Sequence, residues 1–154
     1  MHTHIIIKEM PTMQLAYLSH VGLAGLEHTF EQMAQWAKAH GIGEDENGHM
    51  IRIFHDSFKD TDADKVRMSI WVILPQDLPI EKPIEKMMLE KGKHLVGKFT
   101  IEPNEFGQAW QELFSWMNAN SYKKAEGNPF EIYFNDMNNH PENKCIVELC
   151  IPIA

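Results

Sequence analysis

The sequence predicts an α+β fold: two copies of a strand–helix–strand–strand unit that form a two-fold pseudosymmetric antiparallel sheet around a central ligand cleft. Three observations carry this expectation. The chain aligns with itself at a shift of 80, so that Leu26 falls on Phe106, Phe30 on Trp110, Met33 on Leu113 and Trp36 on Trp116. The same shift sets Ile53 on Tyr133, Phe54 on Phe134, His55 on Asn135 and Asp56 on Asp136. Both copies close on an apolar strand that ends in proline, at Pro75 and Pro152. One offset that matches helix-like and strand-like segments together marks a duplicated unit, here about 75 residues long. The copies are expected over residues 13–75 and 93–153, within one domain spanning 1–154.

Each element has its own local signal. Met13 to His20 alternates and carries Leu15, Tyr17 and Leu18, which reads as a strand, and His94 to Ile101 is its counterpart. Leu23, Leu26, Phe30, Met33, Ala34 and Ala37 then recur at spacings of three and four, a helical stripe that Gly41 stops. The second stripe holds Phe106, Ala109, Trp110, Leu113, Phe114 and Met117, with Pro103 in the first turn. Two strands follow in each copy: Met50 to His55 and Val66 to Leu74, then Pro129 to Asn135 and Lys144 to Ile153. Gln76 to Lys93, with Pro79, Pro83 and many charges, is expected to connect the copies and to hold a short strand around Met87 to Glu90.

Composition narrows the function. Lys plus Arg number 14 and Asp plus Glu 22, a net charge of −8, so the chain lacks the clustered cations that grip nucleic acid. Hydrophobic residues are 44% and charged residues 23%, the balance of a folded domain. The longest apolar run, Ile70 to Pro75, is far too short to span a membrane, and Ile5-Ile6-Ile7 is too short for a signal-peptide core. No membrane partner is expected, and the cytoplasm is the expected compartment. Cys145 and Cys150 lie five apart in one strand, hence on opposite faces, and do not suit a disulfide. His2 and His4 have no third ligand nearby, and Asp60 to Asp64 fails as a calcium loop because Lys65 and Trp71 fall where Gly and Glu are needed. No metal and no cofactor is expected.

The candidate site comes from strand parity. Phe130, Ile132 and Phe134 are expected against the helix, which turns Glu131 and Tyr133 toward the cleft. On the last strand Cys145, Val147, Leu149 and Ile151 form the apolar face and leave Ile146, Glu148 and Cys150 opposite. Glu148, an acid with apolar neighbours on both sides, is either a solvent-facing edge residue or a partly buried carboxylate. In the second case it recognises a cation or works as a general acid or base. Counting back four residues from each strand-ending proline makes Trp71 the counterpart of Glu148, so a tryptophan face would stand opposite a carboxylate. The candidate ligand contacts are therefore Glu148, Trp71, Tyr133, Tyr17 and Ile53, with Glu148 as the catalytic group should the protein be an enzyme.

The run Phe130-Glu131-Ile132-Tyr133-Phe134-Asn135-Asp136 and the ending Val147-Glu148-Leu149-Cys150-Ile151-Pro152-Ile153 resemble the GyrI-like small-molecule-binding domain. Ala16-Tyr17-Leu18-Ser19-His20, Gly22 and Lys65-Val66-Arg67 add to the likeness, while Leu23-Ala24 stands where that family has Pro-Tyr. The resemblance implies an effector-binding module of bacterial AraC-type or MerR-type transcription regulators, in which Glu148 would engage lipophilic cationic ligands and drugs. It implies contact with DNA only through an upstream or separate helix-turn-helix segment. Two alternatives come with it: a stand-alone hydrolase that opens cyclopropane-type toxins using Glu148, and a protective protein that interacts with gyrase.

Overall fold

The computed structural model describes residues 2–42, 50–56, 60–74, 78–135 and 141–154. Pro75 and Asp136, both used to align the repeat, lie outside the described residues. In chain order the elements are β1 (His2–Met10), β2 (Met13–Val21), α1 (Leu26–Ala39), β3 (Met50–Phe54), β4 (Arg67–Ile73) and β5 (Glu85–Leu89). They continue with β6 (Gly92–Ile101), α2 (Phe106–Ala119), β7 (Phe130–Tyr133) and β8 (Cys145–Pro152). Strand, helix, strand, strand thus occurs twice, as β2-α1-β3-β4 and as β6-α2-β7-β8, and the pairs β2–β4, β3–β4, β2–β5, β1–β6, β6–β8 and β7–β8 are antiparallel.

The chain forms two compact units. A continuous unit, Thr12–Glu90, has the strand order β3-β4-β2-β5. A split unit, Met1–Pro11 with Lys91–Ala154, has the order β1-β6-β8-β7. The edge strands are exchanged relative to the chain. β1 precedes the first repeat but pairs along its whole length with β6 of the second, and β5 precedes the second repeat but pairs with β2 of the first. The sequence reading assigned β1 to no element and placed a strand near Met87 to Glu90, whereas β5 begins at Glu85.

Local chemistry explains the helix starts. After β2 the chain turns at Gly22, whose φ is 78°. A Cβ there would sit 2.8 Å from the Asp64 carbonyl oxygen, and the Gly22 N–H donates to Val66 O at 2.8 Å, so only glycine fits. His20 then bridges the turn, its ring 2.8 Å from Thr29 Oγ1 and 3.0 Å from Ala24 O. Leu23 was expected on the helical stripe, but α1 begins only at Leu26 and leaves Leu23 exposed. Pro103 opens a single 3-10 turn, Pro103–Glu105, and the Glu105 carboxylate accepts the Glu102 N–H at 2.8 Å just before α2.

In the continuous unit α1 packs Met33 and Ala37 onto Ala16 and Leu18 of β2 and Ile70 and Val72 of β4. Alternation turns Leu15, Tyr17 and Ser19, Ser69 and Trp71, and Ile51 and Ile53 to the other face. In the split unit α2 covers Gly97, Phe99, Val147 and Leu149. A Cβ on Gly97 would meet the Leu113 methyl at 3.0 Å. The face away from α2 carries Val96, Lys98, Ile132, Ile146, Glu148 and Cys150.

One expectation is corrected here. Glu131 and Tyr133 lie on the α2 side of β7, and Phe130, Ile132 and Phe134 on the opposite side. Trp110 of α2 donates its indole N–H to Glu131, and the Phe106 ring lies 6.4 Å from that of Tyr133. The ladders give the reason. Tyr133 stands opposite Val147, as Arg52 stands opposite Ile70, and the shift of 77 that equates Trp71 with Glu148 also equates Ile70 with Val147. Tyr133 is therefore the counterpart of Arg52, not of Ile53. The alignment at 80 is one residue out on this strand, and one residue turns every side chain over.

Candidate functional site

Two cross-strand rows carry the candidate residues, one in each unit. In the continuous unit the row runs Ile51, Trp71, Tyr17 and Glu85 across β3, β4, β2 and β5. Tyr17 and Trp71 are stacked, with ring centroids 4.8 Å apart and planes at 24°. The Tyr17 hydroxyl donates to Glu85 Oε2 at 2.6 Å. That bond, then burial and the carboxylate charge, hold the Tyr17 pKa above its ordinary value. One row along the same face, Ile53, Ser69 and Ser19 stand opposite one another. His55 Nε2 and Ser69 Oγ share a 2.6 Å hydrogen bond. Burial, then the nearby Arg67 charge, lowers the His55 pKa, while Asp56 acts in the opposite sense. Asp56 is itself held down to about 2, chiefly by hydrogen bonds from the Arg67 guanidinium at 2.8 and 3.0 Å.

In the split unit the matching row runs Ile132, Glu148, Lys98 and His4 across β7, β8, β6 and β1. Glu148 is half-buried, and among the described residues it accepts no hydrogen bond and forms no ion pair. Lys98 stands directly opposite it, but its ammonium lies over the Phe134 ring, 5.1 Å from the centroid. Trp71 and Glu148 thus hold equivalent places in their two rows.

The structure groups Trp71, Tyr17 and Ile53 on one sheet face and puts Glu148 on the face of its own sheet that α2 leaves uncovered. Tyr133 does not join Glu148. Its hydroxyl donates to the Glu131 carboxylate, which is fully buried and also takes the Trp110 N–H at 2.7 Å. Sequence reasoning passed over Glu85, His55, Ser69 and Lys98. Glu85 lies in a stretch read as a connector, and the His55–Ser69 pair needs the β3–β4 register before it can be seen. Asn135, prominent in the C-terminal motif, works locally. Its side chain accepts the Ile146 N–H at 2.7 Å and donates to Lys144 O at 3.0 Å, which closes the turn into β8. Both cysteines are buried free thiols. Among the described residues no cluster of three or more His, Cys, Asp or Glu could hold a metal ion, and no helix is long and apolar enough to cross a membrane.

The duplicated strand–helix–strand–strand module carries an aromatic row in one unit and, in the other, a half-buried carboxylate unpaired among the described residues, features that suit a small-molecule binder. The chain belongs to the family of the GyrI-like small molecule binding domain, which matches residues 3–154. A DNA gyrase inhibitor of Pectobacterium carotovorum subsp. carotovorum (strain PC1) is 24% identical over 113 residues, 71% of each chain. YosT of Bacillus subtilis (strain 168), an SPbeta prophage-derived protein named as a candidate transcriptional regulator, is 26% identical over 153 residues, 97% of this chain and 98% of that one. The crystal structure of the EcmrR C-terminal domain superposes with a TM-score of 0.84 at 15% identity, covering 100% of this chain and 99% of that one. This chain spans 57% of the EcmrR chain in its complex with DNA. SAV2435 bound to tetraphenylphosphonium superposes with a TM-score of 0.57 at 13% identity, over 98% of this chain and 94% of that one.

Proposed function

We propose that this protein is an effector module that binds a lipophilic cation, with Glu148 supplying the charge that reads it; Trp71, Tyr17 and Ile53 we propose as apolar ligand contacts on their own sheet face. The observation that carries the reading is Glu148 itself. A half-buried carboxylate flanked by Ile132 and Ile146, with no ion pair among the described residues, is a costly arrangement that a bound cation offsets. The tetraphenylphosphonium on SAV2435, a protein of the same fold, supports this ligand class. The likeness to EcmrR and YosT supports a role in transcription regulation, with DNA contacted by a helix-turn-helix segment outside this sequence. Two buried reduced thiols and the absence of a span-length apolar helix among the described residues support a cytoplasmic setting.

The test compares crystal violet with its neutral leuco form, which shares the skeleton without the charge. Glu148→Gln is expected to weaken crystal violet binding by about 1–3 kcal/mol, roughly 5- to 150-fold, and to leave the leuco form nearly unchanged. Equal weakening of both dyes would remove Glu148 as the cation reader.

A further inference from the structure

Trp71 has an unanswered polar group. It is 3% exposed, and its indole N–H is buried without a hydrogen-bond partner among the described residues. The contrast with Trp110, also 3% exposed, is direct: that indole N–H reaches Glu131 at 2.7 Å. A buried donor without a partner is uncommon in native proteins, because its lost hydration is not replaced, and each such case asks for a reason.

Its neighbours narrow the reason. The Tyr17 ring covers Trp71 at 4.8 Å, but the Tyr17 hydroxyl is spent on Glu85, and the Ser69 hydroxyl two residues before Trp71 is spent on His55. Ile51, fully buried, stands on the other flank. Polar groups around Trp71 are thus satisfied among themselves and leave one donor inside an aromatic and aliphatic surround. Tyr17 also offers the way in. It is half-buried, and its hydroxyl is anchored to a carboxylate on the exposed edge strand β5, so a change of rotamer uncovers the indole at the cost of one solvent-side hydrogen bond.

We infer that the Trp71 indole N–H is a ligand-reading donor, and that the protein takes flat aromatic molecules bearing a hydrogen-bond acceptor such as a ring carbonyl. The ring packs in the place of Tyr17 against the indole, and the carbonyl oxygen accepts from Nε1. This rests on the reading of Trp71 as a ligand contact, and it adds a polar requirement that a cation alone does not impose.

The matched probes are 9-fluorenone and fluorene, flat tricycles that differ in a carbonyl against a methylene. Fluorenone is expected to bind wild type at least about fivefold more tightly than fluorene, and Trp71→Phe is expected to bring the two within about twofold. In 15N-labelled protein the Trp71 indole N–H resonance should move downfield with fluorenone and not with fluorene. Should Trp71→Phe fail to fold, that wild-type shift decides alone. Equal affinities in wild type, a preference that survives Trp71→Phe, or no binding of either probe overturns the inference. If crystal violet still binds in a Glu148-dependent way, the cation reading stands without it. If crystal violet fails as well, both fall.

Discussion

Trp110 and Glu131 are joined by a 2.7 Å hydrogen bond from the indole N–H to Oε2, with the Tyr133 hydroxyl on the other carboxylate oxygen. The bond ties α2 to β7, two elements that share no backbone hydrogen bond, through a carboxylate that is fully buried. Glu131→Leu would take the carboxylate acceptor from the buried Trp110 indole and the half-buried Tyr133 hydroxyl. A loss of about 2–4 kcal/mol in urea unfolding is expected. Trp110→Phe in the same background should recover part of it, because one orphaned donor is then gone. Wild-type stability in Glu131→Leu would show that the carboxylate holds nothing together.

Lys98 stands opposite Glu148 and leans over Phe134. Its charge repels any cation that Glu148 attracts. Lys98→Met is therefore expected to tighten crystal violet binding by about two- to fivefold at low ionic strength. The gain should shrink in about 0.5 M salt, where such a contact is screened. A weaker cation complex would instead make Lys98 part of the ligand's surround.

Gly97 lies beneath α2. A Cβ there would come within 2.7 Å of the Phe99 ring and 3.0 Å of the Leu113 methyl, and both side chains are fully buried. Gly97→Ala is expected to cost about 1–3 kcal/mol, measured by thermal or urea unfolding. Leu113→Ala should be less damaging in that variant than in wild type, since it makes room for the added methyl.

His55 gives stability a pH dependence of known sign. Its folded-state pKa is lowered, by burial first and then by Arg67, so the unfolded chain binds the proton more readily. The stabilisation is complete above the ordinary histidine value of about 6.5 and is lost as pH falls through the lower folded value. Wild type should thus lose more thermal stability between about pH 7.5 and pH 5 than His55→Gln, which has no such proton to take up. Parallel pH profiles for the two proteins would show that partial burial and the Arg67 charge do not hold His55 in its neutral form.

Much of the fold is legible in the chain because its signals are local. The stripe from Leu26 to Ala37 and its copy from Phe106 to Met117 repeat at helical spacing, and α1 and α2 follow them closely. The alternation around Tyr17, and the apolar face of Cys145, Val147, Leu149 and Ile151, mark strands whose parity places Glu148 away from the helix. Counting back four residues from Pro75 and from Pro152 uses residue order alone, and it equates Trp71 with Glu148 without any coordinates.

Other features depend on pairing between distant segments, and period-two alternation does not say which strand a segment joins or in what register. That β1 pairs with β6 and β5 with β2 is decided by hydrogen-bond ladders across about 70 to 100 residues of chain. The same ladders turn Glu131 and Tyr133 toward α2 against the repeat alignment, because a one-residue difference in register exchanges the two faces of a strand. The sequence by itself determined the duplication, the helices and the residue types on each strand. Only the tertiary structure decided that the Trp110 indole meets a carboxylate while the Trp71 indole meets no acceptor among the described residues, since hydrogen-bond partners are chosen by positions in space.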